Sequence, residues 1–189
     1  MAVILDEQLN DLNYVENPIP AGFWSRFLAG LLDAIILLPI SLILNYGLKA
    51  AGFYELGIVL STIISIAYKP LLEAIYGATY GKMAANINVI NRNNEIIGAK
   101  EAILRSIVPI IYQVVALIST LVLINESGLV TSISQDLISG NFFTSSISFI
   151  AIIGFLYGIY VIVDIISFFT NDNHITIHDR IGGTRVVIK

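Results

Sequence analysis

A chain of 189 residues that is 56% hydrophobic and 13% charged carries about half the charge of an ordinary soluble domain, which has roughly 25% charged residues, so water is not its only solvent. The absence of cysteine excludes disulfides, zinc ribbons and thiol catalysis. The net charge of −4 conceals a segregation: Asp6, Glu7, Asp11 and Glu16 stand in the first 25 residues with no Lys or Arg, while most basic residues follow Ala78.

A secretory signal opens on a basic region. This chain opens on acidic residues, so its first apolar block is expected to remain uncleaved. That block runs from about Phe27 to Tyr46, long enough at about 1.5 Å per residue to cross a hydrocarbon layer about 30 Å thick. Further blocks run from about Leu56 to Ile75, from about Ile103 to Ile124 and from about Ser145 to Phe169. Four spans put both ends of the chain on one side. Arg26, Lys82, Arg92, Lys100, Arg105, Arg180, Arg185 and Lys189 fall on that side, against Lys49 alone on the other. The positive-inside rule then makes both ends cytoplasmic and the host a cell (inner) membrane.

The expected fold is an all-α membrane protein, a bundle of about four transmembrane helices with a small cytoplasmic β-hairpin or sheet. Between the second and third spans, INVI and EIIG flank NRNN as strands flank a turn. The C-terminal RVVIK is also strand-like and, lying on the same side, is placed to pair with that hairpin. The chain thus divides into an acidic tail over 1–22, a membrane domain over 23–170 with a loop over 77–102, and a second tail over 171–189.

Charges inside the spans carry the functional interest, because an isolated charge at a bilayer centre costs on the order of 3 kcal/mol and so must face other charges or water. Arg26 and Asp33 are seven apart and share a helix face, with Ala29 and Gly30 between them to admit another helix. Lys69 and Glu73, at i and i+4, share a face of the second span. Arg105 opens the third span, with Tyr112 on its face and Gln113 adjacent; Asp164 lies near the end of the fourth, with Tyr157 and Tyr160 on its face. Chain direction puts three bases and three acids at one depth. They either pair as a structural network, or one carboxylate, Asp33 being the deepest, loses its partner and takes up a proton or cation.

These residues resemble the RDD family of membrane proteins, named for an arginine and two aspartates, over Ala21 to Ile188. AGFWSRFLAGLLD is similar to the family's first-helix signature, with Arg26 as the arginine and Asp33 as an aspartate. Glu73 followed by YGATYGKMAANINVI resembles an acidic residue, then Gly-x-Thr-x-Gly-Lys (Gly77, Thr79, Gly81, Lys82), then a strand. Arg105 matches the arginine opening the next helix. Asp164, then His178 and Asp179 ahead of Thr184 and a valine-rich strand, resemble the family's close, and either aspartate fits the second one of its name. The resemblance implies a role in transport, with alkali-cation/proton exchange as its sharpest form. The polar outer stretch NESGLVTSISQDLISGN is the part it does not account for.

Other motifs read more plainly. GATYGK has three residues where a P-loop needs four before Gly-Lys, and Met83 where it needs Ser or Thr, so a turn leaving the second helix is the better reading than a nucleotide site. Lys82 also suits an anionic lipid headgroup. His174 and His178, with Asp172 and Asp179 beside them, suit a turn anchor better than a metal site. Gly154 and Gly158 permit close helix approach, within the bundle or between copies in a homo-oligomer. No nucleophile and base stand at a recognisable spacing, so no enzyme, cofactor or nucleic-acid partner is expected. Membrane lipid and a small cation or proton are the expected partners. Two functions remain open: a small secondary transporter using Asp33 with Arg26 and Asp164 as alternating partners, and a non-catalytic scaffold whose ion-pair network is structural.

Overall fold

The computed structural model describes residues 18–125, 146–171 and 173–189. The acidic stretch before residue 18, residues 126–145 with all but the first residue of the polar outer stretch, and Asp172 lie outside the described residues. In chain order the elements are α1 (Phe23–Ala50), α2 (Tyr54–Tyr76), a short α3 (Tyr80–Ala84), β1 (Ile87–Asn91), α4 (Ala99–Asn125), α5 (Ser146–Phe169), a short α6 (Ile177–Gly182) and β2 (Thr184–Ile188).

Helices α1, α2, α4 and α5 are each long and apolar enough to cross a membrane. They coincide with the four apolar blocks, and α1 and α4 begin a turn before theirs, where the helix already runs through polar residues such as Arg26, Lys100 and Glu101. Side chains such as Ile35, Leu38, Ile43, Ile63, Ile118 and Phe155 remain exposed along these helices, as expected where the solvent is lipid. α2 packs against α1 and α4, and α5 packs against α4 and α6. Tyr112 and Tyr157 seal the α4–α5 contact by stacking at 4.0 Å with 8° between their planes. Gly154 and Gly158, by contrast, adjoin open space among the described residues.

The tightly packed part of the protein lies at one end of the bundle, where β1 and β2 pair antiparallel, Val89 opposite Val186. The predicted hairpin is therefore only half a hairpin. Its second arm contributes one bridge, Ile90 to Ile96, and the regular partner of β1 is the C-terminal strand. On the far side of β2 the chain entering α1 adds a bridge from Pro20 to Val187, and the Ala21 amide donates to the Val186 carbonyl at 3.0 Å. Ala21, Ala29, Ile87, Val89, Ile97, Ala102 and Val186 form the core beneath this sheet.

Two glycines let the connection from α2 to β1 reach the bundle. Gly77 ends α2 in the left-handed region at φ 70°, which residues with a Cβ adopt at a cost of roughly 1–2 kcal/mol. Gly81, in α3, lies so close to α1 that a Cβ would strike the Ala29 carbonyl and come within 2.7 Å of Asp33 Oδ1. The small residue at Ala29 thus admits α3 rather than another span. Gly81→Ala is expected to destabilise the protein by roughly 1–3 kcal/mol through overpacking. Gly30→Ala, where a Cβ meets nothing within 4 Å, should be tolerated. Thermal unfolding of both variants in detergent checks the contrast.

Candidate functional site

Asp179 stands where three elements meet. Thr176 caps α6 and forms a capping box with Asp179, the Thr hydroxyl lying 3.0 Å from Asp179 Oδ2. This fixes a fully buried carboxylate at the start of a short helix. Arg26 of α1 reaches it with Nη1 donating to Oδ2 at 3.0 Å, and Arg105 of α4 with Nη2 donating to Oδ1 at 2.8 Å. Each carboxylate oxygen therefore holds one guanidinium. Arg26 also donates to the Ala21 and Val186 carbonyls and lies over the Phe168 ring.

Arg105 extends the network to α2, where its Nε lies 3.5 Å from Glu73 Oε2. The other oxygen of the buried Glu73 accepts from Lys82 Nζ at 2.5 Å. Lys69, which shares the Glu73 face of α2, forms no ion pair among the described residues, and the partners of Glu73 come from α3 and α4. At the end of α5, Asp164 accepts from the His178 amide at 3.1 Å and meets its ring Nδ1 at 2.9 Å, pinning α5 to α6. His174 goes elsewhere, stacking on Phe168, so the two imidazoles do not share a helix face.

Asp33 is bound differently. Tyr68 and the Gly81 amide each donate to Oδ1 at 2.7 Å, and the Thr79 hydroxyl donates to Oδ2 at 2.6 Å. Thr79 is also the N-cap of α3, accepting from the Lys82 amide. The Gly-x-Thr-x-Gly-Lys turn is thus an anion receptor whose anion is the protein's own Asp33, held at a helix N-terminus as such ends hold phosphate. No basic side chain pairs with Asp33 among the described residues. The Arg26–Asp33 partnership expected from their shared face is corrected: both line one cavity, but Asp179 holds the Arg26 guanidinium.

Among the described residues, two cavities are lined by Asp33. A larger one of about 470 Å³ lies between α1 and α5 and is lined by Arg26, Asp33, Lys69, Lys82, Arg105 and Asp164 against Phe27 and Ile165. A smaller one of about 190 Å³ extends from Asp33 to Leu37, near the middle of α1, and is lined by Ser65, Tyr68, Ser106 and Gln113. Asp33 and Lys69 line both. The six intramembrane charges therefore do gather at one end of the bundle. Lys82 and Asp179, which the sequence places in a cytoplasmic motif outside the spans, join them to make four bases and four acids. Tyr68 and Ser106 carried no charge or spacing that would have singled them out.

Outside the spans, burial alone would raise the Asp179 pKa, but Arg105, His178 and Arg26 outweigh it and hold the carboxyl well below the usual carboxylate range. Burial lowers the proton affinity of His178 against the pull of Asp164, with Lys69 and Arg105 acting in the same direction as burial. Both shifts make the unfolded chain bind more protons, so stability falls on acidification. The His178 share is lost first, as pH drops below its ordinary 6.5, and the Asp179 share as pH falls through its lowered folded value. Asp179→Asn is expected to cost about 3–5 kcal/mol, because it removes the carboxylate that joins Arg26 to Arg105 and leaves Arg105 with Glu73 alone and Arg26 with no counter-charge among the described residues. His178→Gln should remove the early part of the acid slope. Unfolding midpoints in detergent from pH 8 to pH 4 test both.

No curated protein and no solved structure matches the chain. A family model does: the one described as the RDD family matches residues 20–183, from the bridge before α1 to the end of α6, and so includes every residue of the network. The Arg26, Arg105 and Asp179 junction and the Asp33 receptor accordingly belong to an integral membrane protein that is a member of the RDD family.

Proposed function

We propose that this protein is a small secondary transporter that moves a small cation in exchange for protons, with Asp33 as the carboxylate that takes up the ion. The observation that carries this reading is the position of Asp33: it lines both cavities and is held by neutral donors alone. A carboxylate without a fixed counter-charge is the group a cation or proton neutralises at least cost. Oxygen ligands suit a hard cation, and the smaller cavity offers them. Ser106 lines it with a buried hydroxyl that lacks a partner, and Gln113 adds a side-chain amide. Pro70 and Pro109, inside α2 and α4, also line it. A helical proline leaves the carbonyl four residues earlier without its donor, which frees the Ile66 carbonyl at the same cavity.

In this reading Lys69 faces both cavities as a resident positive charge that an arriving cation displaces, while the Arg26, Arg105, Glu73 and Asp179 pairs stay closed. The basic residues on the sheet side support a cytoplasmic orientation for that side in a cell membrane. The competing reading is a non-transporting scaffold that recruits a partner through its sheet. It draws support from the complete pairing of Asp179 and the pinning of Asp164 to His178.

Purified protein in liposomes loaded with a pH-sensitive dye separates the two. Proton movement on adding Na⁺, K⁺ or Li⁺ is expected in the wild type and absent from Asp33→Asn that still inserts and elutes as a folded species. No flux with any of these ions from folded wild-type protein would sink the exchanger. If Asp33→Asn is merely unstable, the scaffold is favoured.

A further inference from the structure

The larger cavity has features that cation transport does not use. It lies between two spans that meet chiefly at the sheet end, where Phe23 approaches Phe168 and Phe169 with ring centres 6.0 and 5.3 Å apart. Away from that contact its walls are apolar and open toward lipid: Phe27 is 53% and Ile165 42% exposed. Gly30, on the same wall, has nothing within 4 Å of where a Cβ would stand. The floor is polar and unevenly charged. Arg26, Lys69, Lys82 and Arg105 line it, against Asp33 and Asp164. The acids that balance the rest, Glu73 and Asp179, are buried and do not line it.

Two side chains on this floor have donors without hydrogen-bond partners among the described residues. Lys69 has no ion pair among the described residues, and Arg105, only 1% exposed, has a buried Nη1 without a hydrogen-bond acceptor. A fully buried guanidinium nitrogen left unmatched beside a cavity calls for an anion or a polar oxygen there. A lateral mouth with apolar walls demands in addition that the anion carry a hydrocarbon portion.

We propose that the cleft between α1 and α5 binds an anionic membrane phospholipid, its phosphate on Lys69 and Arg105 and its acyl chains leaving past Phe27 and Ile165. The assignment is independent of the transport reading. The depth is suitable, since Arg26 lies within the first turn of α1 and Asp33 about 15 Å along it at about 1.5 Å per residue, the zone between headgroups and upper acyl chain. Basic residues at this level favour anionic over zwitterionic lipid by about fivefold each. Lys69, the unpaired one, is expected to carry most of that preference.

The chain contains its own reporter. Trp24, the single tryptophan, is 76% exposed and packs edge-on to Phe23 and Phe27 at the mouth of the cleft, with ring centres 5.5 and 6.0 Å away. In phosphatidylcholine vesicles doped with either dibrominated phosphatidylglycerol or dibrominated phosphatidylcholine, the anionic quencher should act on Trp24 at about one-fifth the mole fraction of the zwitterionic one. That preference should vanish in Lys69→Gln, return in Lys69→Arg and persist in Lys100→Gln, which lies outside the cleft. Gly30→Leu, which fills the cleft without touching a charge, should abolish it as well, so the test survives if Lys69→Gln does not fold. Equal quenching by the two lipids in the wild type would overturn the proposal. So would a preference that survives both Lys69→Gln and Gly30→Leu, or one that inorganic phosphate abolishes at millimolar concentration, which would identify a site for a free anion.

Discussion

The bidentate use of Asp179 is the constraint on which the rest of the structure depends. Its two oxygens hold guanidiniums that enter from different spans, Arg26 from α1 and Arg105 from α4. Because the carboxylate is fixed by its own helix cap, the two spans are fixed relative to α6 and hence to the β2 strand that follows. A buried pair of this kind adds little stability over an apolar contact of the same shape, but breaking it is costly. What it specifies is register. A slide of α1 or α4 by one turn, about 5.4 Å, would strand a charge in a place where neither water nor lipid can match it.

From that junction the order of assembly in space follows. Arg105 passes the constraint to Glu73 and so to α2, and Glu73 passes it to Lys82 in α3. α3 then returns to α1 through Asp33, which closes a ring running α1, α6, α4, α2, α3 and back to α1. α5 stands outside the ring, attached through Asp164 and His178 and through the stacked Tyr112 and Tyr157. Its separation from α1 is what opens the larger cavity. A span joined to the bundle at its sheet end and along one side only leaves the opposite side available to lipid.

Much of this was legible in the sequence, and what was not has identifiable physical causes. Four spans followed from hydropathy alone, because lipid admits a crossing segment only as a helix or as a strand of a closed barrel, and apolar blocks of about 20 residues fit the helix. The gathering of Arg26, Asp33, Glu73, Arg105 and Asp164 followed from chain direction together with the cost of an unpaired charge. Pairing within the set did not follow, since helical spacing fixes which face a residue occupies and not what lies opposite. Asp179 and Lys82 were assigned to polar connections because they fall outside the apolar blocks, yet those connections fold back under the sheet. One signal was available: Thr176 three residues before Asp179 is a capping pattern, and it marks the α6 that the β-branched run ITI obscured. The C-terminal strand pairs with β1 as its composition and side of the membrane imply, and only the second arm of the hairpin is shorter than expected. EIIG has strand composition, but it meets β1 only through the Ile90–Ile96 bridge and the Asn91 amide on the Glu95 carbonyl, while β2 with its two buried valines covers β1 along its length.

The network also separates charges that are committed from charges that are available. Asp179, Glu73, Arg26 and Lys82 are each held by an opposite charge, and moving any of them means opening a buried pair. Asp33 and Lys69 are the exceptions, and they are the two ionisable residues that line both cavities. Asp33 keeps its ligands through dipoles, two hydroxyls and an amide at a helix end, whose hydrogen bonds can reorient or lengthen without stranding a charge. Loosening the hydrogen bonds of a carboxylate so held opens the link from α3 to α1 but breaks none of the ion pairs that join α1, α4 and α6 at Asp179. Fixed pairs for architecture and a dipole-bound acid beside an unpaired base at the junction of two cavities are therefore compatible demands on one small bundle, because they fall on different residues.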